Sequence, residues 1–334
     1  MSRRSKKMEP AVMTLTLGIP VTNLPGSNFV DLSQIASLVN RRFYRQGINW
    51  AVNDFKFSVE AGLQGELTMG KLPSTWVMSN AWEKGMRAWL RMTNEAMDET
   101  EFVKPRFMDF KIYADSTHHA AGFVANLLPG GFAAGEWESS KMVIPNTPPT
   151  FGVALEREII ATGANYPGAS LPPATGLDAV SLIEGYASSR ALPNVLDPNT
   201  PGDADSVEGA LPQNWIQATF NEGLDQDAQI IENNQDENNI APYPFENDGV
   251  NLDTMYPNGA NQGAGVEQHD YTNFTATSIG NISHMKGGMF PCGLIRIDHT
   301  NWNVPAEQTK IVRMQISLVP GHHRGYLCEP MTEM

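Results

Sequence analysis

The chain has 334 residues, is 41% apolar and only 18% charged, and carries a formal net charge of −14. That is long enough for one large β domain or two smaller ones with a proper core. Two features exclude whole classes: Cys292 and Cys328 alone make no disulfide framework, and no apolar run approaches the roughly 18 residues of a transmembrane helix.

The two cysteines read as buried free thiols. The 29 glycines and 23 prolines favour many turns over long helices. Charge is unevenly laid out. Residues 1–115 hold 15 Lys/Arg against 12 Asp/Glu, whereas residues 116–334 hold 8 against 25. Between Arg190 and Lys286 there is no Lys or Arg at all, against 15 acids.

In chain order, Arg3, Arg4, Lys6 and Lys7 form a short basic start. Such an arm reads as a contact for nucleic acid or an anionic membrane surface, and no apolar run of signal-peptide type follows it. "MTLTLGI" alternates, with Met13, Leu15, Leu17 and Ile19 on one face, and predicts a half-buried strand. "DLSQIASLVNRRFYRQG" predicts a helix capped by Asp31, with Leu32, Ile35, Leu38 and Val39 on one stripe. Arg41, Arg42 and Arg45 cluster after it as a second basic patch. "FKFSVEAGL" reads as a strand with Phe55, Phe57, Val59, Ala61 and Leu63 inward, and "GELTMGKL" as its hairpin partner.

The segment "SNAWEKGMRAWLRMTNEAM" places Trp82, Met86, Trp89, Leu90 and Met97 at helical spacing, a pattern of core packing. "FMDFKIYAD" reads as a strand with Phe110, Ile112 and Ala114 on one face; "KMVIP", "FGVALEREII" and "YTNFTATSIG" are weaker strands. "GLDAVSLIEGYASSRAL" predicts a helix with Asp178 near its start. The acidic region 191–285 reads as long outer loops. Calcium binding there stays open, although the EF-hand pattern fails: counting from Asp225, the required glycine position holds Ile230. "CGLIRID" and "KIVRMQISLVPG" close the chain as strands, the second with Val312, Met314, Ile316 and Leu318 inward.

Little chemistry is spelled out. Phosphate-loop, dinucleotide, nucleophile-elbow and H-E-x-x-H patterns are absent from the sequence. His118–His119 and His322–His323 are adjacent pairs; on a strand the two members face opposite sides and cannot share a metal. With 37 acids, no carboxylate pair is singled out for glycoside cleavage. The expectation is a protein that is not an enzyme, with no catalytic residue, metal or cofactor.

The basic start leading into an alternating strand, then "NRRFYRQGINWAVNDFKFSV", "LPSTWVMSNAWEKGMRAWL" and the closing "GGMFPCGLIRID" and "KIVRMQISLVPGHHRGYL", resembles the jelly-roll major capsid proteins of small icosahedral viruses, especially those with single-stranded DNA genomes. The resemblance implies an all-β jelly-roll sandwich with a few inserted helices. It further implies location in the virion, self-association into trimers or higher lattice contacts, and other virion proteins as partners. Two versions compete: one roll with long insertions, or a double jelly roll of the kind that covers an internal membrane. The lack of a long Arg-rich arm favours the double roll narrowly, because four charges neutralise few phosphates.

On that basis the chain divides into an arm at 1–10, a first half at 11–175 and a second half at 176–334 that contains the acidic loops. Arg3, Arg4, Lys6, Lys7, Arg41, Arg42 and Arg45 would face membrane or packaged nucleic acid. His322, His323, Arg324 and Tyr326 would contact a neighbouring subunit. A carbohydrate-binding or carbohydrate-cleaving β-sandwich, or a phage tail or fibre component, remains the alternative.

Overall fold

The structure, a computed structural model, describes residues 10–97, 105–133, 137–145, 154–166, 168–172, 174–191, 265–277 and 279–334. Arg3, Arg4, Lys6 and Lys7, and most of the acidic region, lie outside the described residues.

The first alternating stretch forms β1 (Thr14–Val21), which buries Leu15, Leu17, Ile19 and Val21. β2 (Gly26–Asp31) runs straight into α1 (Leu32–Asn40), and Asp31 is its N-cap as predicted. Its Oδ1 accepts from the backbone N–H groups of Ser33 at 2.8 Å and Gln34 at 3.1 Å, satisfying donors that a helix start leaves open. Arg41 ends the helix in the left-handed region, with φ 50°.

β3 (Ile48–Ser58) begins and ends earlier than the predicted 55–63 strand. β4 (Gly65–Lys71) is not its hairpin partner but lies in a second sheet, paired with strands from the far end of the chain. Crossing between sheets puts Leu67 and Met69 opposite Phe55 and Phe57 in one core, burial that a flat hairpin would forgo.

A long excursion follows: α2 (Trp76–Met97), α3 (Ser116–Ala121), β5 (Lys141–Pro145), β6 (Ala154–Ile160), β7 (Ala179–Ser181) and α4 (Leu182–Ala191). Strands β5, β6 and β7 form a small sheet of their own. The predicted strand at 107–115 is extended chain with one bridge, Tyr113 to Ile160, although Phe110, Ile112 and Ala114 are buried as read. The helix expected from residue 176 starts at Leu182, because Ala179–Ser181 is taken up by β7. His118 and His119 sit on α3 rather than on a strand, and both are fully buried.

The chain then returns with β8 (Glu267–Phe274), β9 (Ile282–Phe290), β10 (Leu294–Thr300), β11 (Lys310–Leu318) and the short β12 (Pro320–Gly321), β13 (Gly325–Tyr326) and β14 (Cys328–Pro330). The pairing nests from the outside in. β1 pairs β11, β2 pairs β10, β3 pairs β9 and β4 pairs β8, all antiparallel. β11 also pairs β3, and β10 also pairs β4, which gives one sheet with β1, β11, β3 and β9 and another in the order β2-β10-β4-β8. β14 extends the first sheet beside the start of β3.

The fold is therefore an all-β sandwich with helices in its connections. One apolar core is shared by both sheets, and a second lies under α2 and α4. Both sheets draw strands from either side of residue 175. Cys292 is a buried free thiol, and Cys328 is free and half-buried.

Candidate binding site

The segment after α1 alternates between inside and outside. Tyr44 is buried: its N–H donates to Ser37 Oγ at 2.9 Å and its hydroxyl donates to the Arg324 carbonyl at 3.1 Å. Gln46 is fully buried. Its Nε2 donates to Asp31 Oδ2 at 3.2 Å and to the Ile112 carbonyl at 3.1 Å, while its Oε1 accepts from the Ile112 N–H at 2.7 Å. Trp137 Nε1 donates to the same Asp31 oxygen at 3.0 Å. With Tyr44 and Gln46 pinned inward, Phe43 and Arg45 line an open cavity of about 470 Å³.

The C-terminal turn supplies the facing wall. Between β12 and β13 the backbone reverses with Arg324 at φ 51°, and His323 and Arg324 reach the cavity. The Arg324 guanidinium donates to the Phe43 carbonyl and lies 6.0 Å from the Tyr44 ring centroid. Tyr326 supports the turn from inside rather than presenting a surface. It is 1% exposed, donates to the Val12 carbonyl at 2.7 Å and accepts from Asn40 Nδ2 at 2.7 Å.

The patch at Arg41, Arg42 and Arg45 and the cluster at His322, His323, Arg324 and Tyr326 thus converge, although the sequence offers them as two separate regions. Arg45, His323 and Arg324 meet at the cavity. Arg41, Arg42 and His322 do not line it.

The third wall comes from α2 and the strand-like segment before α3. Trp82 is buried in the core as sequence spacing assigns it, with Met86 and Trp89 packed against the same cluster, and these three and Leu90 also line the cavity. Trp82 and Trp89 pack on Phe110 with ring centroids 5.9 and 5.6 Å apart. Gly47 lets α2 come this close, since a Cβ there would collide with the Trp82 ring. The Trp82 indole Nε1 is buried without a hydrogen-bond partner among the described residues.

Arg106 and Asp109 also line the cavity. Neither was singled out by the sequence, where the only signal is "KPRFMDF", cations and an acid interleaved with aromatics. Arg45, Arg106 and Arg324 are exposed, and none has a carboxylate within ion-pair distance among the described residues. Asp109, whose Oδ2 accepts from the Gln46 N–H at 3.1 Å, faces them as the one acid in the lining among the described residues. Burial pushes its carboxyl up to about 6.

Behind this site runs a buried polar network. His118 Nδ1 accepts from the Ala114 N–H at 3.1 Å, so its Nε2 carries the proton shared with Asn126 Oδ1 at 2.8 Å. Its ring stacks on Phe29 with centroids 4.3 Å apart. Burial lowers its pKa to about 4. His119 Nε2 meets Glu158 Oε2 at 2.7 Å, and Ser139 Oγ donates to Glu158 Oε1 at 2.5 Å. Burial works against the Glu158 charge, but the hydrogen bonds from His119 and Ser139 help hold it below the usual carboxylate range.

Among the described residues no three His, Cys, Asp or Glu side chains gather as a metal site, and no helix is long and apolar enough to cross a membrane. Compared with known protein families, with curated proteins and with solved structures, the chain matches none.

Proposed function

We propose that the chain is a viral major capsid protein: a jelly-roll subunit that self-assembles into an icosahedral shell around a genome. One observation carries this, the nested strand pairing. A chain laid out as a long hairpin pairs its first strand with its last, its second with its second-last, and so on. Rolling that hairpin sends alternate pairs to opposite sheets, which is the jelly-roll arrangement. The pairs β1–β11 and β3–β9 in one sheet and β2–β10 and β4–β8 in the other follow that rule.

The same order moves the preference from two rolls to one. Its eight strands come from both ends of the chain, with the excursion between β4 and β8 as a single long insertion. The low charge fraction of 18% suits walls buried against neighbouring subunits, where interface cores are depleted in charge.

Light scattering and negative-stain microscopy of the purified protein, across salt and pH, test the proposal. Closed particles or their trimeric or pentameric building blocks are expected. A monomer under every condition would overturn the shell function and leave a sandwich that binds something else.

A further inference from the structure

We propose that the cavity between α2, the 105–110 segment and the C-terminal turn is a binding site for a nucleoside phosphate, with the base held among its aromatic walls and the phosphate at its arginine rim. This does not depend on shell assembly, because every feature that carries it belongs to one chain.

Two observations converge. First, the chain is strongly acidic, with net charge −14, yet Arg45, Arg106 and Arg324 meet at one opening where Asp109 is the single acid among the described lining residues. Like charges gathered this way repel one another and are balanced by an anionic ligand. Guanidinium forks match phosphate oxygens in geometry as well as charge. Second, the interior is aromatic. The half-buried Trp89 and Phe43 offer ring faces and edges, with the buried Phe110 ring packed on both Trp89 and Trp82, and the Arg45 guanidinium already lies 5.6 Å from the Phe43 centroid. Bases stack on such rings regardless of sequence.

Size agrees. The volume of about 470 Å³ falls within the roughly 300–1,000 Å³ of small-ligand sites and admits one nucleotide, not a folded duplex. Asp109 is the opposing charge on the wall among the described residues; with its carboxyl raised to about 6 it is still mostly ionised near pH 7, and its repulsion of a phosphate eases only as pH falls below 6.

The nucleotide could arrive free or as one unit of a single strand, and titration of the full-length protein at low salt separates the two. Tryptophan fluorescence would be followed against dAMP, deoxyribose 5-phosphate, a short oligo-dT strand and oleate. Binding of dAMP about tenfold or more tighter than deoxyribose 5-phosphate is expected from base stacking. Oligo-dT binding much more tightly than dAMP assigns the site to single strands; equal affinities assign it to free nucleotides. Arg106→Gln with Arg324→Gln should weaken dAMP by about tenfold or more, since both exposed guanidinium groups stand at the rim where the phosphate is held.

Arg313→Gln, on the exposed face of β11 and outside the cavity, should leave affinity unchanged. Equal binding of dAMP and deoxyribose 5-phosphate, indifference to the Arg106/Arg324 pair, or saturation by oleate but not by dAMP would each overturn the proposal. A monomeric protein that still binds dAMP would refute the shell function alone.

Discussion

Replacing Asp31 with asparagine tests how the sandwich is tied to its insertion. The Asp31 side chain is fully buried. Oδ1 accepts from the backbone N–H groups of Ser33 and Gln34 and from Ser33 Oγ, while Oδ2 accepts from Gln46 Nε2 and Trp137 Nε1. One carboxylate therefore caps α1, fixes the loop that lines the cavity and anchors a tryptophan of the insertion. Burial raises its pKa, and the hydrogen bonds pull against that rise.

Asp31→Asn retains an acceptor for the helix cap but turns an NH₂ group toward two donors. Each buried donor left unmet costs about 1–3 kcal/mol. Relief from burying one charge fewer offsets part of this. The expected loss is about 2–4 kcal/mol, and Asp31→Ala should lose about 1 kcal/mol more as the cap goes too. Urea unfolding at pH 7, followed by tryptophan fluorescence, measures both. In a double-mutant cycle, Asp31→Asn and Trp137→Phe should be less than additive, because the second change removes the donor that the first offends. An Asn variant within about 0.5 kcal/mol of the parent, or strict additivity with Trp137→Phe, would refute the assignment of this carboxylate as the joint; surface changes of no structural consequence fall in that range.

Two buried groups should pull stability in opposite directions with pH. Asp109 has a folded pKa of about 6 against an ordinary 3.8, so its contribution is full below 3.8 and is lost as pH rises through 6. Asp109→Asn should therefore stabilise the protein at pH 7, by up to about 3 kcal/mol. His118 has a folded pKa of about 4 against 6.5, so its contribution is full above 6.5 and is lost as pH falls through 4. Because the two oppose each other in the parent, Asp109→Asn should lose stability between pH 6 and 4.5 more steeply than the parent does, as read by urea midpoints at each pH; parallel curves would count against both assignments. Gly47→Ala should push Trp82 off its seat, cost about 1–3 kcal/mol and red-shift tryptophan emission, whereas an unchanged emission and urea midpoint would mean that α2 does not rest on that backbone.

Much of the sandwich is legible before any coordinates are known. Period-two alternation marks β1 and β11, because one face of each is buried and the other wet. Asp31 reads as a cap because a short acceptor beside an apolar stripe has few other uses. Partner choice is not legible in this way. β4 alternates equally well beside β3 or beside β10, and only the burial of Leu67 and Met69 in a core shared by both sheets selects the second. The stripe of Trp82, Met86, Trp89 and Leu90 announces an apolar face, yet spacing cannot say whether that face meets protein or an open cavity.

The convergence of Arg45, Arg106 and Arg324 is the furthest from local sequence, since the three residues lie on three separate segments. The sequence by itself determined which faces are apolar, where helix α1 begins and that the body is acidic, because those properties follow from side chains taken in order. The tertiary structure alone decided which strands meet, which aromatics line the cavity and which cations gather at its opening. Those depend on long-range packing, in which residues hundreds of positions apart compete for the same buried surface.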